Sequence, residues 1–228
     1  MIPALILYFI RKHKGTLKPL FKSLMSKNIV FKLLIILGLI LITSSFTIPS
    51  ENKSLSYNVV NNSKVIGVIH INKNISQKET VYTLSSNIKA KFLAKFNVVG
   101  KEKAIYKKGV LVYSSVYRTL NNKVKVNHSV ELQGNTYHIA TSNEIKPMSC
   151  ENIKHNLVTF YFEEPKDINS VFCDNQKEMV PVIPVSDGVY KVEISKGKYN
   201  VFHYKKGKCI KVEAVSKLFS VTLIPIAS

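Results

Sequence analysis

The sequence predicts an all-β protein, in which one antiparallel meander forms a strongly curved sheet or open half-barrel behind a single N-terminal hydrophobic helix. Three observations support this fold class: apolar and polar residues alternate strictly, short turn signals separate the alternating segments, and the one long apolar stretch is confined to the N-terminus. From Lys123 to Gln133, every second side chain is apolar or His and the others are polar. Such a strand is buried on one face and solvated on the other.

The apolar stretch Phe31 to Ile42 has the character of an export signal. Its uncharged part, Leu33 to Ile42, is about ten residues long, which suits a secretory signal and is shorter than the roughly twenty residues of a membrane-spanning helix. Lys32 precedes it, and the small residues Thr43 and Ser45 follow at the −3 and −1 spacing of a signal peptidase site. We therefore expect a cleaved signal peptide.

An uncleaved membrane anchor over residues 31–48 is the alternative. Translation from Met25 gives an ordinary signal peptide in residues 25–50 and makes residues 1–24 an over-called, basic N-terminal extension. Translation from Met1 leaves a long cytoplasmic segment and an anchor that holds the protein to the membrane. Both alternatives place the C-terminal part in the periplasm or cell envelope, because all seven basic residues of the first 45 positions precede the uncharged part, Leu33 to Ile42.

The exported part is strongly basic. Subtracting the seven basic residues of the first 45 positions from the formal net charge of +19 leaves +12. A basic exported surface attracts polyanions such as lipopolysaccharide and acidic glycans. Arginine occurs only at Arg11 and Arg118, however, and the joint abundance of Lys, Asn and Ile is typical of an AT-rich genome. An AT-rich composition is therefore the simpler explanation of the charge, and binding of a polyanion is the alternative.

Residues 51–140 predict a first β-meander of about seven strands. Asn61 to Lys64 forms the first hairpin turn, and Asn121-Asn122 is a favoured type I′ pair. The alternating segments that give rise to them are Leu55 to Val60, Val65 to Ile71, Glu79 to Ile88 running toward Lys89 to Val99, Lys101 to Tyr106, Val110 to Leu120, Lys123 to Gln133 and Thr136 to Ala140. In Lys89 to Val99, Phe92 and Phe96 share the apolar face.

Residues 141–188 predict an irregular connection with short strands. The segment from Thr141 to Asn156 has no clear period, and Leu157 to Phe162 is an apolar run. Met179 to Val185 contains Pro181 and Pro184, which indicates an edge strand or a loop. Regular alternation returns in residues 189–228, which predict a second meander of about four strands in the same domain.

Four motifs resemble a family of exported, β-rich domains of unknown function from Gram-negative bacteria. They are Lys64 to Gly67, Lys108 to Leu111, Phe160 to Pro165 and Tyr199 to Gly207. The resemblance covers nearly all of the exported part. It implies an envelope location and a large curved antiparallel sheet, akin to the open half-barrels of periplasmic lipoprotein carriers. It implies no catalytic residues.

A catalytic or metal-binding pattern is absent from the sequence. Glu163, Glu164 and Asp167 form the one acidic cluster, and paired carboxylates serve as acid and base in glycoside hydrolases. Adjacent glutamates beside a proline point to different sides of the chain, so a solvated loop is the simpler interpretation. The histidines lack metal-ligand spacing, and no phosphate-binding glycine loop occurs. We expect no metal, no cofactor and no nucleic acid partner.

His128 is a polar residue on an otherwise apolar strand face. It lines a ligand cavity together with Phe92 and Phe96, or it is a core histidine bonded to a neighbouring group. Cys150 and Cys173 form a disulfide in an oxidising compartment, or all three cysteines remain unpaired thiols. The sequence leaves both pairs of alternatives open.

Three function classes follow. The first is a non-catalytic envelope protein with a structural or partner-binding role, in contact with the membrane through its N-terminal segment. The second is a carrier or sensor of a lipid-like ligand on the concave face of the sheet. The third is a hydrolase that uses the Glu163, Glu164 and Asp167 region. The sequence does not determine the oligomeric state.

Overall fold

A computed structural model describes residues 50–91, 95–217 and 219–226. Residues from Pro49 to Ser228 form one compact unit. The predicted N-terminal helix, signal peptide and anchor lie outside the described residues, as does Phe92. Within the described ranges, no helix is both long enough and apolar enough to cross a bilayer.

Fourteen strands and one short 3-10 helix make up the described part of the chain. The first eight strands are β1 (Glu51–Asn61), β2 (Lys64–Ile75), β3 (Thr80–Lys91), β4 (Lys95–Lys107), β5 (Val110–Leu120), β6 (Lys123–Gln133), β7 (Thr136–Thr141) and β8 (Ile145–Met148). The 3-10 helix spans Leu157–Tyr161. The remaining strands are β9 (Ser170–Cys173), β10 (Glu178–Ser186), β11 (Val189–Ser195), β12 (Lys198–Lys205), β13 (Lys208–Val215) and β14 (Ser220–Pro225).

The strands form one antiparallel sheet that is not closed. Its order is β8-β7-β6-β5-β4-β3-β2-β1-β14-β13-β12-β11-β10-β9, so β8 and β9 are the two edges. The first and second meanders meet where β1 pairs with β14, in a register that sets Tyr57 opposite Pro225. The predicted all-β antiparallel meander is confirmed.

The turns between strands follow the sequence closely. Asn62 and Ser63 have φ of 46° and 62°, and Asn121 and Asn122 have φ of 49° and 63°. Positive φ at both central residues defines the type I′ turn, whose twist matches that of the flanking strands. Asparagine tolerates this left-handed region better than most residues, which explains the predicted hairpins.

The expected strand from Lys89 to Val99 is wrong. β3 ends at Lys91, β4 begins at Lys95, and these two residues face each other across a hairpin. Alternation continues through the connection because Ala90 pairs with Phe96, so apolar residues before and after the turn share one face. The alternation of apolar and polar residues therefore did not reveal that the chain reverses direction between β3 and β4.

β10 is a longer strand than its two prolines suggested. Its first half, to Pro181, pairs with β9, and its second half, from Val182, pairs with β11. Each half thus has one unpaired side, which is where a residue without an N–H group is tolerated. β9 and the first half of β10 form a short ribbon that departs from the rest of the sheet at Pro181.

The segment between β8 and β9, residues 149–169, packs against strands of both meanders and is called the connector here. Its 3-10 helix contacts β3, β9 and β13. The Phe160 ring packs edge-on against Phe202 of β12 at 5.6 Å, and Tyr161 packs against Tyr57 of β1 at 5.4 Å. The Tyr204 hydroxyl donates a hydrogen bond to the Phe160 carbonyl at 2.6 Å. The connector therefore supplies the centre of the hydrophobic core.

Candidate functional site

An open cleft of about 830 Å³ lies where the connector meets one end of the first meander. Three chain segments build it: the turn from Ile75 to Thr80 between β2 and β3, the Lys108-Gly109 turn between β4 and β5, and connector residues including Lys154 and His155. Its volume is within the range of small-molecule sites in proteins. Among the cavities of the described residues, we take it as the candidate site.

The ion pair between Lys73 and Glu163 forms part of this cleft. Lys73 Nζ lies 2.6 Å from Glu163 Oε1 and about 5.4 Å and 5.9 Å from the ring centres of Tyr82 and Phe162. The Lys73 side chain is only 12% exposed, whereas that of Glu163 is 52% exposed. Burial favours the neutral amine, but the hydrogen bond to Glu163 and the proximity of Tyr82 outweigh it and raise the Lys73 pKa. Lys73 is therefore a fixed cation with a solvent-exposed counter-ion.

Further lysines surround this pair and give the cleft an excess of positive charge. Lys78, Lys108 and Lys154 line it, and none of them forms an ion pair with another described residue. Glu79 and Glu163 are the acidic residues of the lining. Four lysines against two glutamates leave two uncompensated positive charges in the cleft.

His155 also lines the cleft, beside Lys154. Burial lowers the pKa of His155, Lys154 lowers it further, and the Glu163 carboxylate opposes both effects. The imidazole is therefore neutral at neutral pH and offers one donor and one acceptor nitrogen. The same connector residue hydrogen-bonds through its carbonyl oxygen to the Phe172 N–H at 3.0 Å, which fixes the connector against β9.

His128 lies outside this cleft, in a buried polar cluster that we define as Glu102, Tyr106, Arg118, His128, Asn156, Asp174 and Asn175. The His128 Nε2–H donates to the Asp174 carbonyl oxygen at 2.7 Å. Burial lowers the pKa of His128, so the imidazole is held neutral. The cluster connects strands β4, β5 and β6 with the turn after β9. His128 is buried and bonded to a neighbouring group there, which corresponds to the core histidine that was one of the two alternatives.

Two carboxylates share this buried polar cluster. Asp174 Oδ2 accepts a hydrogen bond from Asn156 Nδ2 at 2.8 Å, while Asp174 Oδ1 has no partner among the described residues. Burial raises the pKa of Asp174 to about 7, and the nearby Glu102 charge adds to the rise. Glu102 itself forms an ion pair with Arg118, which also donates to Asn175 Oδ1 at 3.1 Å. These hydrogen bonds and the ion pair link β4, β5 and β6 to the turn after β9.

Phe96 does not lie near His128. Val116 of β5 faces His128 on one side and Glu102 of β4 on the other, and Phe96 is six residues from Glu102 along β4. At about 3.3 Å per residue, that separation is roughly 20 Å. The structure therefore does not bring His128 and Phe96 together, as the predicted ligand site requires. The third residue of that site, Phe92, is outside the described residues.

The acidic cluster at the connector is divided between different environments. Glu163 faces the cleft, whereas Glu164 accepts a hydrogen bond from the Tyr190 hydroxyl at 3.1 Å and its side chain is 9% exposed. Asp167 lines a second cleft of about 630 Å³, which shares Lys154 and His155 with the first. Within the described part of the chain, no group of three metal-ligating side chains occurs.

Cys150, Cys173 and Cys209 are free thiols in the structure, so the predicted Cys150–Cys173 disulfide is not formed there. Cys150 is half-buried and the other two are buried. Burial raises the pKa of all three, and that of Cys209 to about 11. Their thiols are therefore poor nucleophiles at neutral pH.

The principal residues of the cleft, Lys73 and Tyr82, are not among those that the sequence patterns single out. Lys73 and Tyr82 lie on β2 and β3 and face each other across the sheet. The sequence did contain one signal. Lys73 follows Ile69 and Ile71 on the inward face of β2, so a lysine stands where the alternation predicts an apolar residue. Lys154 and His155 carried no such signal, since they lie in a segment without any period.

Comparison with known proteins gives a family. A family model described as a domain of unknown function (DUF6134) matches residues 57–226. No curated protein matches the chain. A crystal structure described as a beta-barrel-like protein of domain of unknown function DUF1849 from Brucella abortus matches with 10% identity and a TM-score of 0.46. That match covers 78% of this chain and 95% of the Brucella chain.

Proposed function

Since the chain belongs to the DUF6134 family of domains of unknown function, we propose that it is a non-catalytic, exported protein of the cell envelope that binds a partner. The resemblance to β-rich domains of unknown function is confirmed by this family, whereas export and envelope location remain proposals based on the N-terminal apolar stretch. The binding surface that we propose is the cleft around the Lys73–Glu163 ion pair.

One observation carries this proposal. The connector occupies the centre of the core, where a ligand carrier would hold its cargo, while the cleft beside it stays open and retains uncompensated charge. Residues that would have to perform hydrolysis are engaged otherwise: Glu163 pairs with Lys73, and Glu164 bonds Tyr190. A binding role needs only the surface that remains accessible.

Photo-crosslinking in living cells tests the partner-binding role. A photoreactive residue in place of Lys78, at the margin of the cleft, is compared with one in place of Lys196, which lies in the turn between β11 and β12. We expect one discrete covalent adduct with an envelope component from position 78 and none from position 196. Equal labelling from both positions, or no discrete adduct from either, contradicts the proposal.

Carriage of a lipid-like ligand is the second candidate, and one observation favours it. Beyond Gly100 on β4, the inward side chains Val98 and Phe96 are apolar and only partly buried, as are their partners Ile88 and Ala90 on β3. In an open half-barrel, this surface would hold an acyl chain. Organic extraction of the protein purified from its own host, followed by mass spectrometry, should then release a stoichiometric lipid, and a lipid-free extract contradicts this function.

A further inference from the structure

The cleft holds cations that the fold itself does not use. Lys78, Lys108 and Lys154 lie on three different segments that converge on one concavity, and none has an ion-pair partner among the described residues. Like charges that share a cleft repel one another, and the Glu79 carboxylate offsets only one of these three lysines, so an anion that enters the cleft is stabilised by the two charges that remain. Their arrangement therefore indicates what the cleft would bind.

Glu163 marks the position of one anionic group. Its carboxylate lies on Lys73, and this lysine is held in place by burial and by the rings of Tyr82 and Phe162. The carboxylate is about half exposed, so it is already in contact with water, and separating such an exposed ion pair costs little free energy. An incoming anion with more charge than a carboxylate would replace it.

We propose that the cleft binds a ligand carrying phosphate monoester groups, one of them among Lys78, Lys108 and Lys154 and another on Lys73 in place of Glu163. The inference rests on the proposed partner-binding function and specifies its chemistry. A phosphate monoester has a charge of about −1.5 to −2 at pH 7 and therefore competes with a single carboxylate for the same ammonium. Lysine binds phosphate as a point charge, without the fixed geometry of arginine.

Two probes separate the sources of such phosphate groups. Fructose 1,6-bisphosphate represents a free ligand with two phosphate monoesters, and phosphatidylcholine vesicles containing phosphatidic acid represent a membrane lipid. Binding of the full chain, purified in mild detergent, is measured by calorimetry for the first probe. For the second probe, the chain is reconstituted and vesicle co-sedimentation is measured. Affinity for either probe that weakens steeply with salt supports the proposal, since exposed charges are screened.

Charge-matched variants test where the phosphate binds. We expect Lys78→Gln with Lys154→Gln to lose about tenfold or more in affinity, since each substitution removes one exposed ammonium–phosphate pair worth up to about fivefold. The control, Lys196→Gln with Lys198→Gln, removes the same charge from the β11–β12 turn and should change affinity by less than about twofold. Glu163→Gln should bind about fivefold more tightly, because it frees Lys73.

The inference is overturned if the cleft variant loses no more affinity than the control, or if Glu163→Gln binds no more tightly than the wild type. A discrete adduct from position 78 together with no phosphate binding removes this inference and leaves the partner-binding function. Absence of both the adduct and the phosphate binding removes the two together. Far-UV circular dichroism of each variant establishes that the sheet is intact before these outcomes are assigned.

Discussion

The His128 imidazole Nε2 lies 2.7 Å from the backbone carbonyl oxygen of Asp174. His128 is on β6 and Asp174 follows β9, and these strands are eleven positions apart in the sheet order. In a flat sheet that distance would be roughly 50 Å at the usual strand spacing. The contact therefore requires the sheet to curve and the β9–β10 ribbon to fold back over its inward face, where the connector also lies.

Asp174→Asn should stabilise the protein at alkaline pH. Burial raises the pKa of Asp174 to about 7 from an unfolded value near 3.8, so the folded state binds an extra proton between these values. The free energy of unfolding therefore falls as pH rises through this window. Asparagine is never charged, so urea unfolding should show the variant gaining about 3 kcal/mol relative to wild type between pH 5 and pH 8.

Other titratable groups around Asp174 remain the same in this comparison. Glu102 adds to the rise of the Asp174 pKa, while burial lowers that of His128, with Lys177 and Arg118 adding to the fall. His128 alone makes the protein more stable as pH rises toward 6.5, which is the opposite sign. Asp187→Asn, in the exposed β10–β11 turn, is the control. A pH dependence of Asp174→Asn identical to that of the control contradicts the prediction.

The sheet was predictable from the sequence wherever a strand or turn is determined by residues that are neighbours in the chain. Alternation and Asn-rich turns gave the strands around Asn62 and Asn121, because positive φ and a solvated face are decided by neighbouring residues. The connector was not predictable, since Phe160 gains its burial from Phe202, which is 42 positions away in the sequence. The cleft depends on the connector, so its residues were hidden for the same reason.

Phe160→Ala should destabilise the protein far more than Phe96→Ala. Phe160 is 1% exposed and packs against Phe202, so its removal leaves a cavity between the connector and β12. Truncation of such a buried ring costs about 3–5 kcal/mol. Phe96 is only half-buried and is the second residue of β4. Urea unfolding should show the larger loss for Phe160→Ala, and equal losses would contradict the central position of the connector.

The three cysteines should differ in their reaction with a thiol reagent. In the folded protein at about pH 8, we expect slow labelling of the half-buried Cys150, because burial and the Glu151 charge raise its pKa. Cys173 and Cys209 are buried and should react only after unfolding. Mass spectrometry of the labelled protein counts all three thiols. A single labelled thiol after unfolding without reductant would instead show that a disulfide forms in the native host.

Gly67→Ala should disrupt the pairing of β2 with β3, whereas Gly100→Ala should be tolerated. A Cβ at Gly67 would lie 2.3 Å from the Asn87 carbonyl oxygen and 2.7 Å from Ile88 Cα, and both are backbone atoms. A Cβ at Gly100 meets only the Ser86 hydroxyl at 2.6 Å, and its next neighbour is 3.7 Å away. A serine side chain moves aside by rotation, but a paired strand does not.

We therefore expect the free energy of unfolding to fall by about 2–4 kcal/mol for Gly67→Ala and by less than about 1 kcal/mol for Gly100→Ala. Urea unfolding measures both losses, and hydrogen exchange of the β2 and β3 amides shows whether the first is local to that pair. Similar stability of the two variants would mean that β2 and β3 do not approach at Gly67 as closely as the structure has them.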